Sequence, residues 1–168
     1  VQSVISVTYP VNLKPGSADA IPANLTNEIL GGGVFSGRLM LNLREDKGYT
    51  YGARSSLRTD PYIGYFQAGA QVGTDVTDSA VVEFIYEMNR IRNEKVSNDD
   101  ISLTKNVSTG SFARSLERPQ TIARFALNTQ RYGLSEDYYK TYLEKLNAVS
   151  IDEIQQMAKK YITPDNAI

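Results

Sequence analysis

Hydrophobic and polar positions alternate in three stretches of the chain, and this period of two predicts β-strands. Residues 3–9, SVISVTY, carry β-branched side chains at this period and end at Pro10. Tyr51–Leu57 and Tyr65–Val72 are joined by the turn TDPYIG. Because this connection is short, we predict that the two later strands pair antiparallel, with one apolar face and one solvated face.

Apolar residues spaced three and four apart predict helices in the rest of the chain. Four predicted helices cover residues 19–30, 36–46, 77–94 and 121–132, and three more begin at residues 97, 135 and 151. Ser36 is the predicted cap of the helix at 36–46, and Val81 belongs to the predicted apolar stripe of the helix at 77–94. Strands dominate the first half of the chain and helices the second. The pattern therefore predicts a single α+β domain over residues 1–168, with two layers and helices packed on one face of a mainly antiparallel sheet.

The composition excludes several kinds of catalytic site. The chain has 168 residues but no histidine and no cysteine. The usual zinc sites and histidine-based acid–base or triad chemistry therefore cannot be built from this chain alone. An enzyme that contains this chain must take those groups from elsewhere or use none of them.

Charge and hydropathy favour neither a nucleic acid nor a membrane as a partner. The 18 Lys and Arg residues and the 19 Asp and Glu residues are interspersed, and no apolar run is long enough to span a bilayer. The absence of cysteine fits any compartment. The chain starts in a strand pattern without Met and stops just after TPDNA, so we expect a fragment of a longer protein whose last strand is truncated at Ile168.

Residues 31–52, GGGVFSGRLMLNLREDKGYTYG, concentrate glycines around a predicted helix. A phosphate-binding loop needs its glycines between a strand and a helix N-terminus, whereas these glycines follow a helix. Their spacing also fits neither of the common nucleotide-binding motifs. Helix termination and close packing explain the glycines better than nucleotide binding does.

Arg44 and Tyr51 are the candidate binding residues of this segment. Arg44 lies in the last turn of the helix at 36–46, Gly48 is predicted to end that helix in a left-handed conformation, and Tyr51 opens the next strand. Converging at a sheet edge, a guanidinium fork and a phenol can donate hydrogen bonds to a carbonyl or a carboxylate. The structural alternative is that Arg44 complements the helix dipole and Tyr51 is a half-buried strand residue. The residue pattern alone favours this alternative.

The stretch NEILGGGVFSGRLMLNLREDKGYTY, from Asn27 to Tyr51, resembles the C-terminal-type domain of the insulinase/pitrilysin family of zinc metallopeptidases, which includes the mitochondrial processing peptidase. The order of elements and the final TPDNA extend the resemblance over most of the chain. It implies the processing-peptidase/LuxS-like metallohydrolase fold. Because the zinc motif HxxEH is absent here, the resemblance implies the complementary half of the peptidase, which is inactive alone.

The resemblance also implies roles for particular residues. Arg44 and Tyr51 would hold the substrate backbone and stabilise the reacting carbonyl, and Gly32, Gly33 and Phe35 would belong to a glycine-rich loop that lines the cleft. Zinc and the general base are expected on a companion domain or subunit, with a peptide as the substrate. The resemblance to bacterial members of the family suggests a periplasmic or exported protein. The alternative is a non-catalytic assembly subunit, because the family includes core subunits of the respiratory bc complex.

Overall fold

A computed structural model of the chain describes residues 1–33 and 36–168. Three antiparallel strands form one sheet in the order β1-β3-β2, with β1 at Gln2–Val11, β2 at Thr50–Arg58 and β3 at Gly64–Gly73. The predicted strands and their antiparallel pairing are therefore confirmed. On the other side of β1, Ile168 exchanges two backbone hydrogen bonds with Thr8, at 3.3 and 3.1 Å, so that the end of the chain continues the sheet.

The described residues form seven α-helices, two of which run on into π-helical segments. They are α1 (Ala20–Asn27), α2 (Arg38–Met40), α3 (Thr77–Asn93), α4 (Asn98–Leu116), α5 (Pro119–Tyr132), α6 (Tyr142–Ala148) and α7 (Ile151–Tyr161). The first π-helical segment, Glu28–Gly32, follows α1, and the second, Leu41–Asp46, follows α2. None of the described helices is both long and apolar enough to span a membrane.

Three details of the helix predictions are wrong. Gly37 rather than Ser36 precedes α2, and no side chain caps that helix. Val81 is 39% exposed, because the buried stripe of α3 runs through Ala80, Phe84 and Met88 instead. The helix predicted from Ser135 begins only at Tyr142, after a series of turns.

The helices pack against one face of the sheet, and the core lies between the two layers. Phe66 in β3 is fully buried and stacks on Tyr9 of β1, with ring centroids 5.0 Å apart. The Tyr9 hydroxyl donates to the carbonyl of Tyr161 at 3.2 Å and accepts from the amide of Thr163 at 2.8 Å. Burial raises the pKa of Tyr9 to about 12. These contacts confirm the predicted two-layer arrangement, since they join the sheet to the end of α7.

The opposite face of the sheet is open and largely polar. Alternation along each strand places every second side chain there, as predicted for a sheet with one solvated face. The residues of this face include Val4, Ser6, Arg54, Ser56, Arg58, Tyr65, Gln67 and Gln71. Below we call this surface the open face.

Candidate functional site

The second π-helical segment carries Arg44. Its residues Leu41–Asp46 continue α2, and the fully buried Leu43 anchors the segment in the core. The chain reverses at Gly48, whose φ of 66° is left-handed as predicted, and the amide of Tyr49 donates to the carbonyl of Leu43 at 2.8 Å. An added Cβ at Gly48 would meet no atom within 4 Å, so only backbone conformation favours glycine there. This turn brings the start of β2 close to Arg44.

Tyr51 lies in a β-bulge at the start of β2. Thr50 pairs with Val72 of β3 and Ala53 pairs with Ala70, so β2 has one extra residue between these two pairs. The Thr50 hydroxyl donates to the carbonyl of Gln71 at 2.6 Å and accepts from the amide of Gly52 at 3.1 Å, which fixes the irregular backbone. Bulges re-aim side chains at strand ends and are frequent beside active sites. Here the bulge leaves the Tyr51 side chain 91% exposed.

Arg44 and Tyr51 line the same groove, which has a volume of about 420 Å³. We call it the Arg–Tyr groove, and its other lining residues include Gln2, Tyr49, Thr50 and Gln71. The Arg44 side chain is 39% exposed, and its Nε lies 3.3 Å from Oε1 of Glu45. Because Tyr51 is nearly fully exposed, it is not the half-buried strand residue of the structural alternative. Arg44 still lies in the last helical turn, where a cation complements the helix dipole.

A buried polar bridge ties the second π-helical segment to α3. Nδ2 of Asn42 donates to Oε2 of Glu83 and to Oε1 of Glu87, at 2.9 Å in both cases. Glu87 is 2% exposed, and NH1 of Arg90 lies 3.4 Å from its Oε1. Hydrogen bonds to a buried carboxylate are strong because the alternative is an unsolvated charge. The bridge therefore holds the helical turn before Arg44 in a defined position.

This bridge and the polar lining of the groove were missed in the sequence interpretation. Glu87 directly precedes Met88 of the buried α3 stripe, and a carboxylate at such a position signals a buried partner. Gln2 and Gln71 occupy polar positions of alternating strands, but only the pairing of β1 and β3 places both at one end of the sheet.

The glycines before α2 serve packing and helix termination. A Cβ added to Gly31 would lie 2.8 Å from the backbone nitrogen of Ser55 and 2.7 Å from the side chain of Leu39, so glycine allows the first π-helical segment to approach β2. Gly33 ends that segment, and its amide donates to the carbonyl of Glu28 at 3.1 Å. Gly32 lines a hollow on the open face, whereas Phe35 lies outside the described residues. The predicted cleft role of these residues stays a prediction.

The described residues offer no cluster of three or more His, Cys, Asp or Glu side chains that could hold a metal ion. What the Arg–Tyr groove does present is hydrogen-bond donors, namely a guanidinium and a phenol beside exposed amide side chains. Such donors can form hydrogen bonds to carbonyl or carboxylate groups.

The fold and this groove define a two-layer α+β domain with a polar edge and no metal-binding cluster of His, Cys, Asp or Glu among its described residues. The family model for the Peptidase M16 inactive domain matches residues 1–108. The chain therefore belongs to this family, which confirms the resemblance stated above. No curated protein matches the chain.

Solved structures share the fold of this chain. The peptidase M16 inactive domain from Pseudomonas fluorescens superposes with a TM-score of 0.91 at 20% identity, over 99% of this chain and 39% of that chain. The inactive peptidase domain from Bordetella parapertussis gives 0.81 at 18% identity, over 100% and 91%. A chain of complex III2 from Candida albicans gives 0.77 at 14% identity, over 94% and 39%. These TM-scores establish a shared fold, which confirms the predicted α+β class. At identities this low, the similarity shows the fold alone.

The chain spans about two fifths of the length of the Pseudomonas and Candida chains it matches. The Bordetella chain, by contrast, is nearly the same length as this one. Membership of an inactive-domain family implies a companion domain or subunit.

Proposed function

We propose that this chain is the substrate-binding half of a zinc metallopeptidase of the M16 family. In this proposal the zinc ion and the general base belong to the companion domain or subunit, and a zinc ion held there would activate water for peptide hydrolysis. This chain contributes hydrogen-bond donors that hold the peptide in the cleft. The absence of histidine from the sequence is consistent with this division of roles.

The observation that carries the proposal is the shared position of Arg44 and Tyr51 in one solvent-accessible groove. The two side chains come from different elements, a π-helical segment and a β-bulge, both of which are irregular and well supported by hydrogen bonds. The guanidinium and the phenol hydroxyl can each donate to a main-chain carbonyl. Donors fixed in advance contribute to catalysis when they are oriented toward charge that develops on a reacting carbonyl oxygen.

The test is peptide cleavage by the assembled peptidase with the companion domain present. We expect Arg44→Ala and Tyr51→Phe each to lower kcat/KM by about a hundred- to a thousandfold, the usual range for loss of one such donor. Arg124→Ala is the matched control, because Arg124 is an exposed arginine on α5, away from the groove. Unchanged melting temperatures would show that the variants are folded. Wild-type turnover in both groove variants would contradict the proposal.

A non-catalytic assembly subunit is the second candidate function. It is favoured by the similarity in fold to a chain of complex III2 from Candida albicans. The two candidates differ in what accompanies the chain. A companion that carries HxxEH supports the peptidase, whereas a stable assembly without any zinc-binding companion supports the structural role.

A further inference from the structure

The open face has an unusual distribution of charge. Arg54 and Arg58 are exposed on β2, and none of the residues in β1, β2 and β3 is an aspartate or a glutamate. The whole chain, in contrast, carries a net charge of −1. The two positive charges of the sheet are therefore concentrated on its open side without any strand carboxylate to balance them.

Neither arginine forms an ion pair with another residue in the described parts of the chain, 1–33 and 36–168. Asp60 lies just past β2, but its Oδ1 accepts from the amides of Tyr62 and Ile63 at 2.9 and 3.2 Å. That carboxylate is thus engaged in its own turn. The two guanidinium groups of the open face remain available for a carboxylate ligand.

Both arginines line one hollow of about 660 Å³ on the open face, together with Val4, Ser6, Ser56 and Gln67. Gln71 lines both this hollow and the Arg–Tyr groove, so the two surfaces adjoin. A peptide bound at the groove can therefore extend over the open face. Polar side chains and two unpaired arginines would be its nearest contacts.

We propose that the open face selects peptide segments with acidic side chains, through Arg54 and Arg58. The two arginines are four residues apart on one strand, a separation of about 13 Å between their Cα atoms. An extended peptide presents side chains four residues apart on one face at the same spacing. Two carboxylates at this spacing match the two guanidinium groups, each of which can bind a carboxylate with two parallel hydrogen bonds.

This inference rests on the proposed function only for its choice of ligand, a peptide. Its test is therefore a binding measurement, with no cleavage step. Fluorescence polarisation of this chain would use three short extended peptides that differ at two positions four residues apart, with glutamate, glutamine or lysine at both. We expect the glutamate peptide to bind about tenfold more tightly than the glutamine peptide and the lysine peptide to bind most weakly, with the preference shrinking as salt is raised.

Variants assign the preference to the two arginines. Arg54→Gln and Arg58→Gln should each lower the affinity for the glutamate peptide about two- to fivefold, and the double variant should bind the glutamate and glutamine peptides equally. Arg124→Gln is the control, since it removes an exposed arginine from α5 and should leave the preference intact. Moving the two glutamates to a separation of three residues should cost most of the preference, because one side chain then faces away.

Two results would overturn the inference. One is equal affinity of the wild-type chain for the glutamate and glutamine peptides, or a preference that survives in the double variant. The other is a dimer in sedimentation experiments that Arg54→Gln and Arg58→Gln dissociate, which would assign the open face to a second copy. Acidic preference without any effect of Arg44→Ala and Tyr51→Phe on cleavage would leave this inference standing and contradict the proposed function instead.

Discussion

The two faces of β2 differ in burial and charge although they belong to the same nine residues. Ala53, Ser55 and Leu57 are buried under the helices, whereas Arg54 and Arg58 between and beyond them are exposed on the open face. Ser55 is polar, yet its hydroxyl donates to Oδ1 of Asn27 at 2.8 Å and its carbonyl accepts from Nδ2 of the same side chain. Along β2, successive side chains alternate between the helix-covered face, where they stabilise the fold, and the open face, where they are available for binding.

The largest effect is expected from truncating a side chain on the face of the sheet that the helices cover, called the covered face below. Phe66→Ala removes a fully buried ring that stacks on Tyr9, and we expect the free energy of unfolding to fall by about 3–5 kcal/mol. Urea denaturation would measure the change. Its neighbour Gln67 points to the open face, so Gln67→Ala should cost less than about 0.5 kcal/mol. Similar costs for the two variants would contradict the assignment of the faces.

The polar bridge to α3 should contribute the next largest effect. Glu87→Ala leaves Asn42 without its buried acceptor and removes the ion pair with Arg90, so we expect a loss of about 2–3 kcal/mol in urea denaturation. Glu94→Ala removes the exposed carboxylate that also pairs with Arg90 and should cost less than about 1 kcal/mol. If the two costs were equal, burial of Glu87 would not be what gives the bridge its strength.

Alkaline pH should weaken the covered face through Tyr9. Its pKa rises from 10.0 in the unfolded chain to about 12 in the fold because the phenol is buried. Above pH 10 the unfolded chain loses this proton while the native state keeps it, so stability present at lower pH is lost as pH rises toward 12. One pH unit above 10, we expect the loss to be about 1 kcal/mol.

The control for this pH effect is the same measurement on Tyr9→Phe. This variant should be less stable at every pH, but its free energy of unfolding should lack the fall above pH 10 that ionisation of the Tyr9 phenol causes. Tyr62→Phe removes a hydroxyl from a side chain that is 92% exposed and should behave like the wild type. An identical pH slope in wild type and Tyr9→Phe would show that the native phenol loses its proton as readily as the unfolded one.

The smallest effect is expected from Glu45, the ion-pair partner of Arg44 beside the Arg–Tyr groove. If Arg44 binds a ligand as proposed, Glu45 competes for it, because the Glu45 carboxylate lies 3.3 Å from Nε of Arg44. Glu45→Gln should therefore tighten the binding of a peptide with a free carboxylate by about two- to threefold, as measured by polarisation. Weaker binding in the variant would mean that Glu45 orients Arg44 for the ligand.

Local chemistry allowed much of the fold to be predicted from the sequence. Alternation predicted β1, β2 and β3, and the spacing of Ser150 and Glu153 is typical of the capping box that opens α7. Gly48 is left-handed as predicted, because only glycine adopts that conformation without strain. These features depend on neighbours within a few residues, so their signals are complete in a short window of sequence.

Features that depend on distant partners could not be predicted. The bulge that exposes Tyr51 depends on the register of β2 against β3, which no single strand specifies. Asn42 and Glu87 are 45 residues apart, and only packing of the second π-helical segment on α3 joins them. Similarly, Tyr139 stacks on Phe125 of α5 at 3.8 Å between centroids, and residues 136–141 form turns where local spacing predicted a helix.

The central claim is that Arg44 and Tyr51 act together on a bound peptide, and a double-mutant cycle tests it most directly. The cycle compares kcat/KM of the assembled peptidase for wild type, Arg44→Ala, Tyr51→Phe and the double variant. Two donors that bind one substrate group should be coupled. We therefore predict that the loss in the double variant is smaller than the sum of the two single losses, by about 1 kcal/mol or more. Strictly additive losses, or none, would contradict the claim.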